Sequence, residues 1–316
     1  MPTYWQLLLL ILPVFALIAI GAVMRRLRWL APEADASLLK LVMGFLYPCL
    51  IFENVLGNAA LRQPGNLLFA PLIGFGTIAI GIYLAYYVGK ALGLTVGEGL
   101  RTFAFSTGIY NYGYVAIPLM AALFKQESSV GVLLVHNVGC EAAIWTVGIL
   151  MLSGLSLREG WRKLINAPVL ALVAAVLANT LDLGRLMPTV VTQVIHLSAA
   201  CSVPIGLMLI GAALMAYLSR PRELFDLRVT LASSVLRLGV LPVLFLLMAK
   251  FLPLPDDLKR VMIVQAAMPA GVMPLVIAQH YGGRPLTAAQ IIIGTTVLGV
   301  FLIPLWLQLG LMWIGV

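Results

Sequence analysis

Asn111, Asn137, Glu141, Arg237 and Gln265 all lie inside long apolar runs of this chain. A carboxylate at the centre of such a run costs at least about 2.5–3.5 kcal/mol on membrane-insertion scales unless it is paired or wetted. Asn111 is the leading candidate for substrate contact, because a neutral amide donates to a carboxylate and accepts from a ring N–H or water. Its alternative role is to satisfy backbone freed by a helix break. Glu141 is a proton-coupling candidate, with Asn137 one turn earlier beside it. Alternatively, Glu141 is a neutral acid hydrogen-bonded to a neighbouring helix or to Asn137. Arg237 lies nine residues beyond Arg228, about 13 Å of helical rise. It either attracts an anion or pairs structurally and snorkels. Gln265, four residues before Pro269, faces the site or bonds back to a neighbouring helix. Of Tyr110, Tyr112 and Tyr114, a helix would direct at most one or two to a common cavity, with Tyr112 taken as the candidate. Glu53 and His196 fall near the outer ends of their runs, where interfacial water reaches them.

These side chains gather around two stretches that a helix tolerates poorly, Gly113-Tyr-Val-Ala-Ile-Pro118 and Pro269-Ala-Gly-Val-Met-Pro274. Proline removes an amide donor and crowds the preceding turn, and glycine weakens a helix interior. In lipid, the freed backbone groups need protein or water. Two such interruptions at corresponding places in two halves predict a binding site between broken helices. Gly113 and Gly271 would let substrate approach the backbone, and Pro118 and Pro274 would mark the breaks.

Composition fixes the setting. The chain has 316 residues, 62% hydrophobic and 10% charged, with mean hydropathy +1.04. Soluble proteins carry roughly 25% charged residues, so a membrane protein is expected. The net charge of +8 does not imply nucleic acid, because the basic residues sit mostly between apolar runs. Ten spans of about 20 residues are predicted, at 5–24, 38–57, 68–91, 99–123, 129–153, 166–183, 190–218, 229–251, 259–280 and 287–313. The first is read as a retained helix rather than a cleaved signal. The odd-numbered connections and their borders hold thirteen of the 20 Lys and Arg, the even-numbered six, and Arg237 lies within a span. That bias places the odd connections in the cytoplasm and both termini outside. Residues 1–155 and 156–316 read as two five-span repeats. An odd number of spans per repeat makes the second copy inverted. Cys49, Cys140 and Cys201 show no CxxC spacing, and no metal or cofactor is expected. His-Glu-x-x-His, Gly-x-Ser-x-Gly and the Walker lysine motif are all missing, which argues against an enzyme and for gradient-driven transport.

Gln265-Ala-Ala-Met-Pro-Ala-Gly-Val-Met-Pro-Leu-Val-Ile-Ala-Gln-His-Tyr281 closely resembles the ninth span of the auxin efflux carrier family. That family includes the plant PIN-FORMED exporters and bacterial permeases assigned to malate or malonate. Asn111, seven residues before Pro118, resembles its fourth span. Arg237, five before Pro242, resembles its eighth. The resemblance implies an all-α fold of ten transmembrane helices, shared with bile-acid symporters and sodium/proton antiporters. Helices 4 and 9 would be broken and would cross at their prolines. Helices 1, 2, 6 and 7 would form a scaffold that dimerises, and helices 3–5 and 8–10 a moving transport domain. The long cytoplasmic segment of the plant exporters is reduced here to Ser156–Asn166.

The expected function is a secondary carrier of small organic anions in the cytoplasmic membrane, working by an elevator-like shift and coupled to protons. A sodium-coupled symporter and a non-transporting sensor of the same acids are the alternatives. The chain lacks the paired aspartates of a sodium/proton antiporter, which argues against cation exchange as the main activity.

Overall fold

The computed structural model describes residues 2–125, 127–153, 165–218 and 226–316. Among these residues the secondary structure is helical, with one isolated β-bridge. In chain order the helices are α1 (Tyr4–Arg26), α2 (Pro32–Val55), α3 (Pro64–Ala91), the pair α4a (Leu100–Gly108) and α4b (Ala116–Leu123), and α5 (Ser129–Ser153). They continue with α6 (Ala167–Thr180), α7 (Thr189–Leu218), α8 (Leu227–Phe251), the pair α9a (Asp256–Ala267) and α9b (Met273–His280), and α10 (Pro285–Ile314). Seven of these are continuous helices long and apolar enough to cross a membrane, α6 is a shorter apolar helix, and the fourth and ninth are interrupted. Arg158, Arg162, Lys163, Arg220 and Arg222, part of the orientation argument, lie outside the described residues, as does most of Ser156–Asn166.

Proline shapes the helices without ending them. In α8 a π-turn over Leu236–Val240 comes just before Pro242. The wider turn makes room for the ring, which would otherwise press on the carbonyl four residues back. That carbonyl, on Leu238, is taken by the Trp306 indole N–H at 2.6 Å. A π-turn over Val42–Leu46 stands in the same relation to Pro48 in α2.

Small residues set the closest helix approaches. A Cβ on Gly21 would overlap the Met208 backbone, and one on Gly211 the Ile18 backbone, so α1 and α7 touch main chain to main chain. Gly74 and Gly139 bring α3 and α5 together in the same way, against the His136 and Pro71 carbonyls. Without a hydrophobic drive between helices in lipid, such approach supplies the packing energy. Gly81 meets Gly108, where α4a stops against α3.

Candidate functional site

The fourth helix unwinds after Gly108, and Ile109 is already extended (φ −95°, ψ 115°). The ninth stops at Ala267, and Met268 is extended (φ −69°, ψ 138°). Met268 precedes Pro269, whose ring disfavours helical geometry in the residue before it. The two unwound stretches pair as an antiparallel bridge between Tyr110 and Ala270. The Asn111 amide donates to the Pro269 carbonyl at 2.8 Å, and the Gly271 amide to the Ile109 carbonyl at 2.9 Å. The Ala270 amide is taken by Thr295 Oγ1 of α10 at 3.1 Å.

The helices are therefore broken and cross as expected, but not at Pro118 and Pro274. Those residues are the third of α4b and the second of α9b. Proline is accommodated in a first helical turn because the amide it lacks has no intrahelical acceptor there. The break before Pro118 is thus placed by the glycine contact at Gly108 and by the pairing with the ninth helix.

A cavity of about 1120 Å³ runs from this crossing to the ends of α1, α7 and α9b, where Arg28, Tyr217 and Gln279 border it. Asn111, Tyr112, Gly113, Gly271, Asn137 and Glu141 border its inner end. Much of the wall between is apolar, including Val42, Ile51, Leu134 and Leu172. Asn111 Oδ1 accepts from the Val115 amide at 3.5 Å, a weak cap on α4b. Its Nδ2 has no hydrogen-bond partner among the described residues. All three tyrosines border the cavity, against the expectation of one or two. That expectation assumed a helix, whereas Ile109–Val115 is unwound and fans the rings apart. Tyr110 reaches Thr77 at 2.8 Å, Tyr112 reaches Glu141 at 2.5 Å, and Tyr114 reaches the Met43 sulfur at 3.3 Å.

Glu141 accepts from the Tyr112 hydroxyl and, at 3.0 Å, from the Trp145 indole, with no cation beside it among the described residues. Its partners are these two and not Asn137. Asn137 Nδ2 instead donates to the Tyr112 carbonyl at 3.0 Å. Gln265 Nε2 donates to the same carbonyl and to Asn137 Oδ1, each at 3.2 Å. Gln265 is fully buried and does not border the cavity, so of its two expected positions it takes the one bonded to neighbouring segments. Its Oε1 is left without a partner.

Pro118, Pro269 and Pro274 likewise shape the crossing from outside the cavity lining. Arg237 is also absent from that lining and fully buried. Its guanidinium stacks 5.0 Å from the Tyr110 ring centroid and 5.2 Å from that of Phe245, with Nη2 3.5 Å from the Ala266 carbonyl at the end of α9a. Of the two roles weighed for Arg237, attraction of an anion or structural pairing, these contacts are those of structural pairing. The charge sits behind Tyr110, at the negative end of a helix dipole. Glu53 pairs with His196 at 2.5 Å in a separate cavity of about 600 Å³, together with Arg62 and Asp182.

Sequence reasoning overlooked Thr77, Thr295, Tyr47 and Met43. A lone threonine or methionine in a Leu-rich helix gives no signal of its own. Tyr47 stacks edge-on against Tyr114, 5.8 Å between centroids. No group of three or more metal-ligating side chains occurs among the described residues.

Comparison with known proteins agrees with this architecture. The model of the family described as membrane transport protein matches twice, over residues 7–160 and 155–307. A protein of Methanothermobacter thermautotrophicus described as an uncharacterized transporter is 27% identical over 304 residues, covering 94% of this chain and 96% of its own length. Two family matches, one on each half and each containing one of the broken helices, show this multi-pass membrane protein to belong to the membrane transport protein family, the auxin efflux carrier family that its fourth and ninth spans resemble.

Proposed function

We propose that this transporter is a secondary carrier of small organic anions that binds a carboxylate at the crossing of the fourth and ninth helices. The observation that carries this reading is the inner end of the cavity. There the Asn111 side-chain Nδ2, without a hydrogen-bond partner among the described residues, stands beside the starts of α4b and α9b, with Gly113 and Gly271 bordering the cavity. Helix starts carry unsatisfied amides and a positive dipole end, both suited to an anion. The apolar wall suits the remainder of an organic acid. The volume of about 1120 Å³ admits an indole acid as well as malonate or malate.

For the movement, α1, α2, α6 and α7 serve as the scaffold, and α3–α5 with α8–α10 move as a unit relative to it. In support, the four tightest glycine contacts, at Gly21, Gly211, Gly74 and Gly139, fall within these groups, α1 on α7 and α3 on α5, while Gly131 and Gly206 make contacts across them. The cavity runs between them. Residues 1–155 and 156–316 are the inverted repeats, and two copies associate through the scaffold. With the odd connections in the cytoplasm, both termini lie outside and this arrangement opens inward across the cytoplasmic membrane. Glu141, bordering the cavity within two hydrogen bonds and without a cation, is the group through which a proton is coupled.

The test is uptake of labelled malonate, malate and indole-3-acetate into proteoliposomes, with and without imposed proton and sodium gradients. Saturable uptake of one acid that responds to the proton gradient is expected. A response to sodium alone would assign a symporter. Binding without flux would assign a sensor and overturn the carrier reading.

A further inference from the structure

The mouth of the large cavity carries an excess of positive charge beyond what its one ion pair neutralises. Arg25, Arg26, Arg28 and Asp35 all border it, three cations against one carboxylate. Arg25 is spoken for, because its guanidinium pairs with Asp35. Arg26 and Arg28 are exposed and have no hydrogen-bond or ion-pair partner among the described residues. Glu33, in the same connection, is not part of the lining.

The backbone at Arg28 adds an independent observation. Arg28 is left-handed, with φ 61°, one of two such non-glycine residues among those described. It follows the C-cap of α1 in a Schellman turn, in which the Trp29 amide returns to the Met24 carbonyl at 2.9 Å and the Arg28 amide to the Arg25 carbonyl at 3.1 Å. Glycine ordinarily takes this position, because a Cβ is strained there. A long cationic side chain is held there against the local preference, and it faces the cavity.

We propose that Arg26 and Arg28 form an anion-recruiting vestibule, a second and outer station where small carboxylates collect before reaching Asn111. This rests on the organic-anion reading of the inner site. A cleft lined by one sign of charge between low-dielectric walls concentrates counter-ions and raises their arrival rate. The apolar stretch between mouth and crossing, with Leu39, Val42 and Ile51, offers no competing charge. Clustered arginines at a membrane surface also attract anionic lipid headgroups, so the experiment separates the two sources of anion.

A thiol reporter reads the local potential without requiring transport. Leu39→Cys places it in the vestibule, on a Cys201→Ala background that removes the exposed native thiol; Cys49 and Cys140 are buried. In nanodiscs of zwitterionic lipid, sulfonatoethyl methanethiosulfonate should react faster, relative to its trimethylammonium counterpart, than it does after Arg26→Gln and Arg28→Gly. The expected drop in that ratio is about tenfold, vanishing near 1 M salt, where the Debye length is about 3 Å. Arg28→Gly suits the turn, so the variant should fold and melt no lower than its parent. An unchanged ratio would overturn the proposal. So would collapse of the parent's ratio to the variant's when anionic lipid is added at fixed low salt, which would assign the arginines to headgroups. In proteoliposomes of zwitterionic lipid the double variant should raise the KM for malonate several-fold at low salt and leave the maximal rate unchanged. If the parent moves none of the three acids, the carrier reading fails while the thiol ratio still decides the vestibule.

Discussion

Asn111 and Pro269 are bonded main chain to main chain, the amide of one donating to the carbonyl of the other at 2.8 Å across the two halves of the molecule. The crossing therefore holds Asn111 in place through its backbone, and the side chain contributes only a 3.5 Å cap on α4b. Folding and the proposed binding role are therefore separable at this residue.

Asn111→Ala should weaken binding of the transported acid about tenfold or more, the effect of losing a hydrogen bond to a charged group worth roughly 1.5 kcal/mol or more. The melting temperature should change little. Isothermal titration and a thermal melt on the same preparation check both. Unchanged affinity for every transported acid would remove the crossing from the binding site.

Glu141→Gln should abolish stimulation of uptake by a proton gradient while leaving substrate exchange between loaded vesicles. The glutamine keeps the shape of the acid but cannot take up and release a proton. Glu141 accepts from Tyr112 on one oxygen and from Trp145 on the other, so the glutamine can keep its Oε1 on the indole and donate from Nε2 to the Tyr112 hydroxyl, which accepts as well as donates. The melting temperature should therefore change little. Full proton stimulation in the variant would exclude Glu141 as the coupling group.

Thr295→Val should destabilise the protein by about 1–3 kcal/mol, because it strips the acceptor from the buried Ala270 amide. Thr295→Ser retains the hydroxyl and should restore most of the loss. Amide exchange at Ala270, followed by mass spectrometry, should accelerate in the valine variant and not in the serine variant.

Gly139→Ala should lower the melting temperature sharply, since its Cβ would overlap the Pro71 carbonyl and force α3 from α5. Overpacking of this kind costs about 1–3 kcal/mol. Gly76→Ala, on the open side of α3 with nothing within 4 Å of its Cβ, should be neutral or stabilising by up to about 1 kcal/mol. Equal melting of the two variants would contradict the close approach of α3 and α5.

The breaks were legible because proline and glycine inside apolar runs are visible in a single sequence. Their positions were not. Pro118 drew attention to itself, yet the chain unwinds nine residues earlier at Ile109, under the influence of Gly81 and of a pairing with residues 269–271. Neither partner is near in sequence. The same limit hid the bond from Gln265 to the Tyr112 carbonyl and the role of Thr295. Glu141 was legible as a buried acid, but its partner on the fourth helix depends on the unwound stretch turning Tyr112 toward it. Periodicity describes a helix well, and it fails where the helix stops.

The pairing of residues 109–111 with 269–271 bears on how the molecule is made. When the fourth span enters the bilayer, the chain that will complete it has not yet been synthesised. The Asn111 amide and the Ile109 carbonyl must wait for Pro269 and Gly271, their partners on the ninth span. The seam of the first half is thus closed only by residues of the second.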